Sequence, residues 1–356
     1  MPSTTIHAAR QPLVSVVTPV YNTEKYLAEC IESVLAQSYD NWEYIIINNC
    51  SNDRSLEIAQ RYAAQDSRIT IHNNTEFLTQ MQNWNHAMRQ VSPESCYCKV
   101  VHADDWLFPD CITQMVALAE QHPTVGIVGS YRLDETEVNL DGLPYPSSCV
   151  SGRDICRLVM KNSLYIFGSP TSLLIRSDLI RQREKFYNEA YLHADMEVCF
   201  ELLQDVDFGF VHQVLTYTRR HNESSTTIIH RFLTKRLGGI QMLKKYGPIY
   251  LGSDEYETLL QYKLKNYYKF LARCVFEMQS REFWDYHKKE LQAIGLPLNR
   301  TMLLKECLLH AGNVVETMRT IKKGFSRKNR KQAVPATKSL SSIAGEQSAT
   351  VFVENK

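Results

Sequence analysis

The chain has 356 residues, of which 44% are hydrophobic and 22% charged. That is enough for one large domain or two ordinary ones, with a core that needs no disulfide staples. Forty basic residues face thirty-nine acidic ones, which excludes a bulk polyanion such as nucleic acid as the natural partner. From the N-terminus, Leu13 to Val20 is a β-branched apolar run that predicts a buried strand. A helix follows over Tyr26 to Ala36, where Leu27, Cys30, Ile31, Val34 and Leu35 recur at helical spacing. Strand, helix and strand are then expected at Tyr44 to Ile47, Ser55 to Ala64 and Arg68 to His72. A helix over Gln80 to Val91 precedes a strand at Cys98 to Val101. A helix from Pro109 to Gln121 and a strand at Val125 to Gly129 complete an alternation that specifies a mostly parallel, doubly wound α/β sheet.

Residues 134–150 read as a loop. Ser151 to Lys161 is helical, Ser169 to Ile175 a strand, Asp195 to Gln204 a helix, and Phe208 to Thr218 two short edge strands. Beyond residue 228 the pattern changes to long amphipathic helices, one over Asp254 to Met278, which we expect to pack as a bundle on the sheet domain. Six of the ten residues from Lys322 to Lys331 are basic, and the polar tail after them lacks the apolar content to fold.

The ten cysteines include no C-x-x-C pair, so zinc-type spacing is absent. No apolar leader precedes the first strand and no run of eighteen apolar residues occurs. We therefore expect reduced thiols in a cytoplasmic protein; the basic run reads first as a solvated tail, with peripheral contact at the inner face of the membrane as the alternative.

In an open parallel sheet, ligands bind beyond the carboxyl ends of the strands. The first strand is followed by Pro19, Tyr21 and Asn22, the second by Asn48, Asn49, Ser51 and Asp53, the fourth by His102, Asp104 and Asp105. An aromatic face, amides and adjacent carboxylates suit a nucleotide and a hard cation. Each piece also has an ordinary explanation: the aspartates as helix caps, Tyr21 as strand-end packing, the asparagines as turn residues. No glycine-rich phosphate loop is present, so a divalent cation, Mg2+ or Mn2+, is expected to neutralise the phosphates.

Taken in order, these segments resemble glycosyltransferase family 2, whose nucleotide-sugar-binding domain has the GT-A fold. Val14-Ser15-Val16-Val17-Thr18-Pro19-Val20-Tyr21-Asn22 resembles the family's first strand and base-binding turn. Ile31-Glu32-Ser33-Val34-Leu35-Ala36-Gln37-Ser38-Tyr39 resembles its next helix. Asn48-Asn49-Cys50-Ser51-Asn52-Asp53 stands where the family has D-D-x-S-x-D, and His102-Ala103-Asp104-Asp105 where it has D-x-D-D. Gly168-Ser169-Pro170, Ala194-Asp195 and Arg220-His221-Asn222-Glu223-Ser224 complete the series. The resemblance covers residues 12–226, followed by a helical region over 227–321 and a basic, then disordered, tail over 322–356.

The resemblance implies an inverting transferase that moves a sugar from a nucleoside diphosphate, UDP first, to a hydroxyl of a glycan or lipid-linked acceptor. It implies that Pro19 and Tyr21 line and stack on the base, that Asn49 bonds its edge and that Asp104 holds ribose. Asp105, with His221, would bind the metal, and Asp195 would be the catalytic base. Two other readings compete: a non-catalytic nucleotide-sugar-binding module, and a nucleotidyltransferase, which would want glycines and basic residues after the first strand.

Overall fold

The structure, a computed structural model, describes residues 11–220 and 231–312. Its centre is a ten-stranded mixed sheet. The first half is wound as the alternation requires. β1 (Val14–Val20) is followed by α1 (Leu27–Leu35), β2 (Trp42–Asn48), α2 (Ser55–Ala63), β3 (Ile69–Asn73), α3 (Gln80–Met88) and β4 (Tyr97–Val100). β1 pairs in parallel with β2 on one side and β4 on the other. The winding therefore reverses at β1, and a crevice opens at the carboxyl ends of β1 and β4.

Burial explains why these segments are strands. Six of the seven residues of β1 are buried, because helices cover both faces of a parallel sheet. α1 turns Leu27, Cys30, Ile31 and Val34 inward, the periodicity seen in its sequence. α3 starts at a capping box in which Thr79 and Gln82 satisfy each other's backbone donors.

The second half departs from the expected layout. β5 (Trp106–Leu107) is a two-residue strand before α4 (Cys111–Gln121). β6 (Val125–Asp134) runs ten residues and folds back on β7 (Glu137–Asn139), so the expected loop begins with a hairpin. β8 (Cys149–Val150) leads into α5 (Gly152–Asn162), which is capped by Ser151 accepting from the Asp154 N–H at 3.1 Å. Pro170–Ser172 is a 3-10 turn, after which β9 (Leu173–Arg176) inserts antiparallel between β4 and β6.

Short α6 (Ser177–Arg181) and α7 (Ala194–Leu202) follow. The two short edge strands expected over Phe208 to Thr218 are instead one strand, β10 (Asp207–Thr218). It lies inside the sheet, parallel to β6 and antiparallel to β5 and β8, with register shifts that bend it. Bulges let one strand serve several partners, and Gly209 with the polar residues after it hides that continuity from an apolar-run reading.

Beyond it come α8 (Lys235–Tyr250), α9 (Ser253–Phe276) and α10 (Arg281–Ala293). Contacts divide the described residues into two units, one within 11–267 together with Gln279–Leu298, the other of Tyr268–Met278 with residues 299–312. Within the first, α8 packs on α7: Tyr246 donates to Glu201 at 2.8 Å, Lys245 pairs with Glu197 at 2.7 Å, and Tyr250 donates to the Phe200 carbonyl. In the second, residues 300–312 are helical and Tyr268 accepts from the Asn299 N–H at 2.8 Å.

All ten cysteines carry free thiols. No helix among the described residues is long and apolar enough to cross a membrane. The basic run Lys322–Lys331 and the tail lie outside the described residues.

Candidate active site

One end of the crevice is built by the turn after β1. Asn22 has a left-handed φ of 51°, which asparagine tolerates better than most residues. Its N–H donates to Ser51 Oγ at 3.1 Å, and its Oδ1 accepts from the Asn52 N–H at 2.9 Å. Asp53 accepts from the Glu24 and Ser55 N–H groups, both at 2.9 Å, and these bonds pull its carboxyl below the usual range against the opposing effect of burial. Ser51 and Asp53 therefore staple the two turns together, the ordinary role for such residues. Pro19 is part-buried at the end of β1. Tyr21 stands out at 46% exposed, with its ring centroid 4.9 Å from that of Phe77, itself 59% exposed.

Asn48 and Asn49 are buried beneath this aromatic pair's segment. Asn48 donates to Asn73 Oδ1 at 2.6 Å. Asn49 pairs with the backbone of Leu78 at both ends of its amide, donating to the carbonyl at 2.8 Å and accepting from the N–H at 2.9 Å. Asn74 adds a further donor to Asn49 Oδ1 at 3.0 Å. The amide thus holds the segment that carries Phe77. Its Oδ1 already accepts two bonds and one Nδ2 proton is used, so a base-edge bond from Asn49 would come from the second Nδ2 proton.

At the carboxyl end of β4, His102, Asp104 and Asp105 offer ligand atoms that all lie within 4.8 Å of one another. His102 packs its ring on Trp84 at 4.5 Å. Burial lowers its pKa, with Asp104 pulling the other way, so the imidazole is neutral near pH 7 and keeps a lone pair. Its Nε2 is buried with no hydrogen-bond partner among the described residues. Asp105 is 3% exposed; burial, then the neighbouring Asp104, raises its pKa. Two donors offset this: Thr171 Oγ1 gives its proton to Oδ2 at 2.6 Å, and the Arg219 N–H gives to Oδ1 at 2.9 Å. His102 Nδ1 lies 4.0 Å from Asp105 Oδ2, and two carboxylates with an imidazole nitrogen so placed fit a divalent cation such as Mn2+.

Asp195 sits in the first turn of α7 and accepts from the Met196 N–H at 2.9 Å. Burial pushes its carboxyl up to about 6, against that backbone bond. The Tyr165 hydroxyl is raised first by burial and next by the charge of Asp195, while Arg132 and Arg220 oppose them. Arg220 also lowers Asp105 and pairs with Asp134 at 3.1 Å. His221 lies outside the described residues.

Three residues absent from the sequence reading belong to this region. Phe77 is a single aromatic in a polar stretch. Thr171 follows the Gly168-Ser169-Pro170 segment that the motif order singles out. Arg219 is the arginine two places before His221, so the R-x-H spacing already pointed to it rather than to Arg220. Besides its backbone bond, Arg219 donates from Nε to the Asp104 carbonyl at 3.0 Å, pairs with Glu29 at 2.5 Å and lies over the Tyr26 ring at 4.6 Å.

Known proteins resemble this chain in sequence and in fold. The putative glycosyltransferase EpsE of Bacillus subtilis is 36% identical over 163 residues, 43% of this chain and 58% of that protein. The glycosyltransferase GlyG of Streptococcus pneumoniae is 28% identical over 223 residues, 62% of this chain and 64% of that protein. The chain thus spans about six-tenths of the length of these curated relatives. In structure, residues 1–349 of S. aureus TarS, solved with UDP-GlcNAc, superpose with a TM-score of 0.59 at 16% identity, covering 88% of this chain and 92% of that one. The mannosyltransferase PcManGT of Pyrobaculum calidifontis, solved with GDP-Man and Mn2+, gives 0.50 at 16% identity, covering 86% and 87%. At these identities the two structures speak for a shared GT-A-like fold. The model of glycosyl transferase family 2 matches residues 15–196, just over half of the sequence, and the chain belongs to that family.

Proposed function

We propose that this chain is an inverting glycosyltransferase that moves a sugar from a nucleoside diphosphate to a hydroxyl of a glycan or lipid-linked acceptor. The observation that supports the reading is the presence of three groups whose chemistry fits three parts of the reaction. An exposed aromatic pair stands at the end of β1, a cation-binding triad at the end of β4, and a carboxyl of raised pKa at the start of α7.

Tyr21 and Phe77 would take the base. Their rings are 4.9 Å apart and inclined by 59°, so the base stacks on an outer face rather than between them. Asn49 contributes by fixing the Phe77 segment through Leu78, and Pro19 by closing the strand end. Asp104 is the candidate for ribose. Asp105 and His102, with His221 as a further candidate, would hold Mg2+ or Mn2+. When bound, such a cation supplies positive charge against the diphosphate, where the leaving group's charge grows.

Asp195 takes the proton from the acceptor hydroxyl as its oxygen attacks the anomeric carbon opposite the diphosphate, and a single displacement inverts that carbon. Its pKa near 6 leaves it mostly ionised at neutral pH, yet basic enough to accept a proton. Solved relatives that hold UDP-GlcNAc or GDP-Man with Mn2+ support a nucleotide sugar as donor class, with UDP as the first choice.

The competing reading, a module that binds donor without transferring, draws on the engaged amide of Asn49 and on His102. The test is a panel of nucleotide sugars screened for thermal stabilisation with Mn2+, followed by donor hydrolysis on each hit. Turnover that disappears in Asp195→Asn while stabilisation persists is expected. Stabilisation without turnover in the unaltered protein would replace the transferase reading with the binding module.

A further inference from the structure

Lys99 lies in the middle of β4, fully buried, where an aliphatic residue would cost nothing. No carboxylate pairs with it among the described residues. Its Nζ donates instead to the carbonyls of Thr171 at 2.6 Å and Leu173 at 3.2 Å, and touches Met115 Sδ at 3.6 Å. A buried ammonium without a counter-ion is expensive, so these carbonyl bonds are the return for keeping it. They pin one end of the segment 165–173. A second buried cation pins the other: Arg132 donates from Nη1 to the Tyr165 carbonyl at 3.2 Å. Between them Gly168 turns with φ +62°, and a Cβ there would stand 2.6 Å from Ser172 Oγ and 2.9 Å from Arg132 Nη1.

What this strap holds in place is Thr171, itself fully buried. Its Oγ1 accepts from the His102 N–H at 3.1 Å. A hydroxyl has one proton, and with its acceptor side engaged by that N–H it directs the proton to Asp105 Oδ2, 2.6 Å away. Arg219 occupies the other carboxylate oxygen. Each oxygen of a carboxylate offers two lone-pair directions. One on each is spent on Thr171 or Arg219, and one on each remains.

We infer that Thr171 is a positioning residue for the cation site, aimed by Lys99 so that Asp105 presents its remaining lone pairs toward His102 and Asp104. The inference rests on reading Asp105 as a cation ligand. Its logic is that of outer partners that orient a ligand before the ion arrives. Thr171 touches neither donor nor acceptor; it acts through Asp105.

The test uses the full chain and Mn2+ alone, with the free aquo ion followed by electron paramagnetic resonance. Thr171→Val keeps the shape and removes the hydroxyl, and Mn2+ affinity is expected to fall roughly 10–100-fold. Thr171→Ser should restore it. Lys99→Met, which fills the same volume without charge, should hold or raise Tm while still weakening Mn2+. A merely structural lysine would move Tm and leave the ion alone. A folded Thr171→Val that binds Mn2+ like the unaltered protein overturns the inference. If that variant does not fold, unchanged Mn2+ binding in Lys99→Met overturns it. An unaltered protein that binds no Mn2+ overturns the reading of Asp105 as a ligand, and the inference with it. That failure is recognisable because it precedes any substitution.

Discussion

Asp195→Asn separates two consequences of one buried carboxyl. The Asp195 pKa rises from its ordinary 3.8 to about 6 because burial disfavours the charge. A pKa displaced by about 2 corresponds to about 3 kcal/mol; the carboxylate is only part-buried by surface area, so solvent screening brings the figure to about 1–2 kcal/mol. The sign follows from which state releases its proton first. In the unfolded chain the acid ionises near 4, in the folded protein near 6, so folding stability falls between those values and levels off above them.

Asparagine has no proton to lose and can still accept from the Met196 N–H. Asp195→Asn should therefore match the unaltered protein at pH 4 and exceed it at pH 7, by roughly 2–5 °C in Tm. Turnover should fall by about 10²–10⁴. Thermal unfolding followed by circular dichroism across pH 4 to 8, alongside a transfer assay, measures both. A stability difference that does not vary with pH, or a variant less stable at pH 7, would show that the carboxyl is not held up by burial. Ordinary turnover in the variant would remove Asp195 from the chemistry.

Phe77→Ala should weaken nucleotide binding about tenfold, and Tyr21→Ala by as much or more, at base-stacking magnitudes; calorimetry with the free nucleotide reads both, and unchanged affinity would move the base elsewhere. Gly168→Ala should cost about 1–3 kcal/mol from its left-handed φ alone, more with the Ser172 and Arg132 contacts, and urea unfolding checks it. Arg219→Ala removes the bonds to Glu29 and the Asp104 carbonyl but keeps its backbone N–H on Asp105. It should lower Tm by a few degrees while leaving Mn2+ affinity nearly intact, and a large loss of Mn2+ would assign the side chain a direct part. Asp105→Ala should abolish both Mn2+ binding and activity; activity that persists in a chelator would remove the cation from the reaction.

How much of this was legible depends on distance along the chain. The first half of the sheet was readable because each strand is an apolar run and each helix shows its face, as in Leu27, Cys30, Ile31 and Val34. The residues at strand ends followed from that, since topology fixes where the carboxyl ends converge. β10 was misread as two edge strands because its bulges and polar residues interrupt any period. β5 is two residues long and has no period to find.

The partners of Asp105 were invisible for a different reason. Thr171 and Arg219 stand 66 and 114 residues away, and nothing local marks either as a donor to that carboxylate. Lys99, inside an apolar strand, was the one anomaly on display. Asn49 was legible as a residue but not as a contact, because its amide closes on the Leu78 backbone rather than facing outward.

The asparagines at the end of β2 have an electrical consequence. Where the family carries carboxylates, Asn48 and Asn49 with Asn73, Asn74 and Asn83 form a ladder of neutral amides, none of which titrates between acid and alkaline conditions. Grip on the aromatic part of a donor should then be indifferent to acidity and to dissolved ions. Sensitivity to both should fall instead on Asp105 and Asp195, the two carboxyls that burial raises. On the proposed reading, holding the donor and activating it would then answer differently to the medium.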